Sequence, residues 1–189
     1  MQECDYVVEK VCEDLNGNLL PEDILIISLD DRNAKSYFSR IEELLNQKKI
    51  KSNNLLTKDY KNTHFFEKDC ITLSTVYKAK GNEAASVYIL GIDALFSKTT
   101  KNYVSSRNKI FTALTRTKYW LTITGCNETA QIFKNEYQKI LNKYPYFEFI
   151  MPDRSTIKNM QRDLTKNKSI LNKKRTELEN SLRAAIGDE

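Results

Sequence analysis

The chain has 189 residues, of which 40% are hydrophobic, and a formal net charge of +5; its mean hydropathy is −0.56. That is length and apolar content for one domain with its own core. No apolar run approaches the roughly 20 residues of a membrane span, and the amino terminus lacks the apolar stretch of a signal peptide. Four scattered cysteines, Cys4, Cys12, Cys70 and Cys126, form no C-x-x-C pair, and His64 stands alone. This excludes a recognisable metal cluster and suggests reduced thiols in a cytoplasmic protein without a membrane partner.

Along the chain, residues 5–15 place Val7, Val8, Val11 and Leu15 at helical spacing. After a turn at Asn16-Gly17-Asn18, the run I-L-I-I-S-L at 24–29 is short, continuous and rich in β-branched residues. That pattern predicts a strand buried on both faces of a parallel sheet. Asp30-Asp31-Arg32-Asn33 offer caps for a helix to about Lys49, with Tyr37, Phe38, Ile41, Leu44 and Leu45 on its inner face. Residues 50–69 are polar and read as loop with a short helical turn. C-I-T-L-S-T (70–75) and S-V-Y-I-L-G (86–91) are the next strands. A long loop over about 93–106 leads to a helix over 107–117, with Ile110, Phe111 and Leu114 facing inward. Y-W-L-T-I-T-G (119–125) is a strand, and residues 127–142 form an amphipathic helix carrying Ile132, Phe133, Tyr137, Ile140 and Leu141. F-E-F-I-M (147–151) is a last strand, ended by Pro152.

Strands alternating with helices predict an α/β domain with a mainly parallel sheet. Ligands of such sheets sit beyond the carboxyl ends of strands, which puts residues 28–32, 75–80 and 91–93 on one rim. Beyond Pro152 the character changes. Residues 153–186 hold neither glycine nor proline and read as one long helix, with Ile157, Leu164, Leu171, Leu178 and Ala185 recurring every seven residues. Met160, Asn167, Lys174 and Ser181 occupy the alternate row, so a single docking stripe is expected rather than a coiled coil. The expected division is a domain over 1–152 and a helical extension over 153–189.

Two segments carry the chemical signal. S-T-V-Y-K-A-K-G-N-E (74–83) interrupts two apolar runs with a charged turn around Gly81, one of only five glycines. It reads either as an ordinary polar connection or as half of a phosphate site, with the glycine letting backbone approach a ligand and Glu83 able to accept from a ribose hydroxyl. The second, R-N-K-I-F-T-A-L-T-R-T-K (107–118), ends a helix at Arg116 just before a strand. An arginine there either stabilises charge on a phosphoryl group or serves its own helix end. It belongs to a stretch, residues 94–127, with no Asp or Glu and with Lys98, Lys101, Arg107, Lys109, Arg116 and Lys118 inside it. That stretch is either a solvated basic face or an anion contact. No Walker-type G-x-x-x-x-G-K-[ST] segment is present.

In this order the two segments resemble motifs V and VI of superfamily 1 helicases of the UvrD/Rep type, in their second RecA-like motor domain. The first is similar to T-x-H-x-A-K-G-L-E and reads T-V-Y-K-A-K-G-N-E here; the second is similar to R-R-L-x-Y-V-A-L-T-R-A-K. The resemblance spans roughly residues 5–151. It implies a RecA-like three-layer domain in which Arg116 is the arginine finger, Lys80, Gly81 and Glu83 line the nucleotide, and Thr75, Tyr77 and Arg107 lie towards single-stranded DNA or RNA. It implies ATP and Mg2+ as cofactors of the complete enzyme, and the first motor domain as partner, since the Walker segments and the Q-N-Y-R-S segment are not in these residues. The chain alone is expected to be inactive. The other reading is a non-catalytic nucleic-acid or protein interaction module on the same fold. Tyr77, Asn82 and Ala84 depart from the family's histidine, leucine and aromatic residue, and its large accessory insertion is missing.

Overall fold

The protein is described from a computed structural model covering residues 2–57, 64–96, 103–146, 151, 172, 173 and 175–177. It divides into two compact units, Met1–Asn142 and Lys143–Glu189.

The first unit is built on five parallel strands in the order β2-β3-β1-β4-β5. They are β1 (Ile24–Ser28), β2 (Lys51–Asn54), β3 (Cys70–Thr75), β4 (Ala84–Leu90) and β5 (Thr117–Ile123), connected through α1 (Gln2–Asn16), α2 (Ala34–Gln47), α3 (Val76–Ala79) and α4 (Tyr103–Leu114), with α5 (Asn127–Lys143) following β5. All five residues of β1 are buried, as a central strand covered on both sides requires. Ile24 and Ile26 pack with Val7, Val8, Val11, Phe38, Ile41 and Leu45 of α1 and α2. Leu25 and Ile27 face the other way, onto a cluster containing Val76 and Ala79 of α3 and Ile110 and Ala113 of α4. Helices thus cover both faces, giving the α/β, RecA-like three-layer arrangement expected from the sequence, with a sheet that is parallel throughout its described strands.

Several expectations need correction. Residues 51–54 are strand, not loop: K-S-N-N pairs in register with β3 as an edge strand. Its buried asparagines are satisfied without apolar side chains, Asn53 Nδ2 donating to the carbonyls of His64 and Phe65 and Asn54 Nδ2 to Glu42. The α4 helix begins at Tyr103 and ends at Leu114, which shortens the expected loop and leaves Arg116 in the following turn. Phe111 is 67% exposed, while Ile110 and Ala113 are buried. Residues three apart share a helix face, and 111 lies about 100° round from 110. None of the apolar residues of α5 is buried; Phe133 is half-covered beside Phe96, ring centroids 6.3 Å apart, and Ile132, Tyr137, Ile140 and Leu141 are exposed.

In the second unit, Tyr146 N–H donates to the Lys143 carbonyl at 2.8 Å beside a cis Tyr144–Pro145 peptide bond, and residues 172, 173 and 175–177 are helical. The rest of the expected strand at 147–151 and helix over 153–186 lies outside the described residues.

Candidate functional site

The two singled-out segments meet at one end of the sheet. Ala84 and Thr117, the first residues of β4 and β5, are register partners. The Ala84 N–H donates to the Arg116 carbonyl at 3.0 Å. The Arg116 guanidinium makes three bonds inside the domain: Nε to the Thr112 carbonyl at 3.0 Å, one terminal nitrogen to the Asn82 carbonyl at 3.4 Å, and the other to Thr115 Oγ1 at 3.1 Å. Arg116 therefore satisfies a carbonyl that the end of α4 leaves without a helical partner and reaches the turn before β4. That turn is closed by Asn82 N–H donating to the Ala79 carbonyl at 3.0 Å. Gly81 has φ +92°, and a Cβ there would meet nothing within 4 Å. Glycine is required by the backbone, and the space in front of it is open. Lys80 and Glu83 are exposed beside it.

Thr75 belongs to the other end. It is the register partner of Ser28, which also pairs with Leu90, so the carboxyl ends of β1, β3 and β4 form the expected rim. The seven residues of β4 separate this rim from Ala84 by about 20 Å at 3.3 Å per residue. The sequence expectation placed residues 75–80 together on the rim. The structure instead runs the chain from the rim at Thr75, through α3, to the opposite end of β4. Thr75, expected at nucleic acid, and Gly81 and Glu83, expected at nucleotide, are thereby divided between the two ends.

At the rim, Tyr77 is 71% exposed. Lys109 Nζ lies 5.5 Å from its ring centroid, within cation–π range, and donates to the Leu29 carbonyl and Asp31 Oδ2, each at 2.6 Å. Arg107 is held by both carboxylate oxygens of Glu136 at 2.6 Å. Two members of the basic stretch are therefore matched by carboxylates rather than being open cations. Sequence reasoning did not single out Lys109, because its partners lie 80 and 78 residues away. Tyr77, Lys80, Asn108, Lys109 and Thr112 line a groove of about 200 Å³ between α3 and α4.

The rim is braced by an unforeseen carboxylate. Glu3, buried in α1, accepts from Gly91 N–H at 2.9 Å and from Thr124 Oγ1 at 2.7 Å. Burial, then the charges of Glu3, Asp93 and Asp30, push the Tyr37 phenol well above its ordinary range. A larger concavity of about 590 Å³ lies between β5 and α5, lined by Leu121, Ile123, Phe133 and Tyr137 among others. At the head of β5 a one-residue bulge against β4 brings Tyr119 and Trp120 to 5.6 Å between ring centroids. Among the described residues, no cluster of His, Cys, Asp or Glu could hold a metal ion, and no helix is long and apolar enough to cross a membrane.

Comparison with known proteins bears on these segments. A search of curated proteins finds no match. A solved structure, the C-terminal domain of a possible DNA helicase from Lactobacillus plantarum WCFS1, is similar with a TM-score of 0.47 and 13% identity. The match covers 65% of this chain and 66% of that one, just under two thirds of its length. The sequence model of the UvrD-like helicase C-terminal domain matches residues 71–124, from β3 to the end of β5 and through both motifs. Over those residues the resemblance read from the sequence is borne out: this part of the chain is similar to the UvrD-like helicase C-terminal domain.

Proposed function

We propose that the chain is the second motor half of an ATP-dependent DNA or RNA helicase or translocase, inactive until a first motor domain closes over it. The observation that carries this reading is the joining of the two motifs through Arg116, whose carbonyl and guanidinium both bond to the turn at 82–84. The residues fit a nucleotide. Gly81 turns the backbone with open space before it, Lys80 can meet a phosphate oxygen, and Glu83 can accept from a ribose hydroxyl. ATP, with Mg2+ held by the nucleotide and the other domain, would supply the phosphoryl group that closure brings within reach of Arg116. Arg116 would leave its intradomain acceptors to stabilise charge on that group. Thr75 and Tyr77, on the rim, would face the single strand. Arg107 would have to exchange Glu136 for a phosphate. The four free thiols suit a cytoplasmic setting.

A second reading, an interaction module without motor function, is favoured by the three intradomain bonds that already occupy the Arg116 guanidinium. ATP hydrolysis separates the two. On the motor reading, the purified chain does not hydrolyse ATP, and hydrolysis stimulated by a single strand appears when the first motor domain is supplied. Hydrolysis by the reconstituted enzyme that is indifferent to Arg116→Ala would overturn the motor reading.

A further inference from the structure

Helix α5 is lightly held. None of its residues is buried. Asp93 clasps its start, accepting from the Cys126 N–H and from the Asn127 side-chain amide, each at 3.2 Å, and Ala130 and Phe133 pack against the core. Beneath it lies the concavity of about 590 Å³ against β5. Farther along, roughly 14 Å from Asn127 at 1.5 Å per residue, Glu136 reaches α4 and binds Arg107 through both carboxylate oxygens. Few buried apolar contacts put such a helix at the low end of local stability, where a single ion pair shifts its docking.

The two ion pairs of α4 differ in kind. The Lys109 side chain is 11% exposed and also donates to the Leu29 carbonyl, so it is built into the fold. The side chains of Arg107 and Glu136 are 50% and 32% exposed. Water reaches both, the pair is weak, and a competing oxyanion can enter. Phosphate offers a guanidinium the same kind of charged acceptor as carboxylate does.

We propose that Glu136 is an autoinhibitory contact, which occupies Arg107 in place of a nucleic-acid phosphate, and that a single strand bound at Arg107 releases α5. This rests on the reading that Arg107 faces a single strand; it adds a residue that opposes binding and an element that moves with it. Docking of α5 and binding of the strand compete for one guanidinium, so each weakens the other by the same factor. For an exposed pair that factor is roughly 1.5- to 5-fold.

The test pairs fluorescence anisotropy of the full chain, with a labelled thymidine oligonucleotide of about 12 nucleotides, with amide hydrogen exchange. Arg107→Ala should weaken binding and reduce the salt slope by about 1. Glu136→Gln should tighten binding by roughly 1.5- to 5-fold. Glu128→Gln removes the same charge from the same helix and should fall well short of that. In the Arg107→Ala background, Glu136→Gln should add no more than Glu128→Gln does. Saturating oligonucleotide should quicken exchange over residues 132–142 in wild type, while Leu25 and Val87 stay protected. Arg107→Ala and Glu136→Gln should each quicken the same amides without oligonucleotide, and oligonucleotide should then add nothing, a pattern that general damage to the fold would not give.

Equal effects of Glu136→Gln and Glu128→Gln on affinity overturn the proposal, as does exchange in α5 that oligonucleotide slows or leaves unchanged. Release of α5 by a polyglutamate peptide and not by the oligonucleotide would give Arg107 to an acidic protein segment and overturn it as well. Weakening by Arg107→Ala with indifference to Glu136→Gln removes the autoinhibition and leaves the strand reading of Arg107 standing. Indifference to Arg107→Ala, or no binding by wild type and Glu136→Gln alike, removes that reading and the autoinhibition together. Indifference of ATP hydrolysis to Arg116→Ala removes the motor reading and leaves these measurements untouched.

Discussion

The guanidinium of Arg116 and the carbonyl of Asn82, 34 residues apart in sequence, meet at 3.4 Å. With the Ala84 N–H bond to the Arg116 carbonyl, this fixes the end of α4 to the turn before β4. On the proposed motor reading, an arginine that reaches for a phosphate gives up this acceptor, which would link nucleotide binding to the conformation of residues 80–84 through competition for one side chain.

Removing that side chain should have two effects of different size. In the chain alone, Arg116→Ala loses neutral-acceptor bonds on a half-exposed group, a destabilisation of about 0.5–1.5 kcal/mol, read as a lower urea midpoint. In the reconstituted enzyme it should lower kcat by roughly 10³-fold or more, the range for an arginine that stabilises a transferring phosphoryl group. Arg116→Lys should recover little, since an ammonium cannot bond in three directions from a planar fork. A lysine variant with near-normal kcat would contradict the role.

Two glycines should fail for different reasons. Gly81→Ala meets no atoms but must hold φ +92°, a cost of roughly 1–2 kcal/mol of backbone strain. Gly81→Asn should cost less, because asparagine tolerates positive φ. Gly125→Ala would set its Cβ 2.4 Å from Ile92 Cγ2 and 3.1 Å from Ala130 Cβ, so about 1–3 kcal/mol of overpacking is expected. Asparagine at 125 should be worse than alanine, the reverse of position 81. Urea midpoints of the four variants check the reversal.

What could be read from the sequence follows from where the information is stored. β1 was legible because it is a continuous apolar run covered on both faces, and β3 and β4 because short segments rich in apolar and β-branched residues bury their few small hydroxyl residues, Thr72, Ser74 and Ser86, as well. The K-S-N-N strand was not, since its burial is met by amide hydrogen bonds to His64, Phe65 and Glu42 that no local pattern announces. Periodicity misassigned Phe111, and it found the apolar stripe of α5 without showing that most of it is exposed. Of the candidate site, the turn at Gly81 and the end of α4 were legible as motifs. Their placement at one end of β4, with Thr75 at the other, was not: strand register is a property of pairing, and the connection through α3 could have left residues 75–80 at the rim. Lys109 and Glu3 act on partners distant in sequence and carry no local signature.

The buried thiol of Cys4 gives the domain an alkaline limit. Burial, then the Glu3 carboxylate, pushes it from 9.0 up to about 11. The unfolded chain releases this proton near pH 9, while the native chain keeps it to about pH 11. Between those values the unfolded state binds fewer protons, and stability falls as pH rises. The contribution is whole below pH 9 and spent above pH 11. Tyr37 and Tyr88, both raised chiefly by burial, extend the same trend. Cys4→Ala should flatten the fall of the urea midpoint between pH 9 and 11 relative to wild type; an unchanged slope would show that the thiol does not contribute.

Glu3 ties the first helix to the rim, and its loss should be felt well beyond α1. Its carboxylate accepts from the Gly91 N–H and the Thr124 hydroxyl, holding the residues that follow β4 and β5. Glu3→Ala leaves a buried backbone donor without an acceptor, which costs about 1–3 kcal/mol, and removes a charge-assisted bond as well. Glu3→Gln keeps one carbonyl oxygen and should recover part of the loss. Because Gly91 has φ +73° and a Cβ added to it would lie only 3.4 Å from Asp30 Cβ, slackening there should reach the 30–33 turn, where Asp30 accepts from the N–H groups of Arg32 and Asn33. Hydrogen exchange should then quicken at Gly91, Arg32 and Asn33 in Glu3→Ala while Leu25 and Val87, in the buried middle of the sheet, stay protected. Uniform loss of protection across the sheet would instead make Glu3 a determinant of global stability alone.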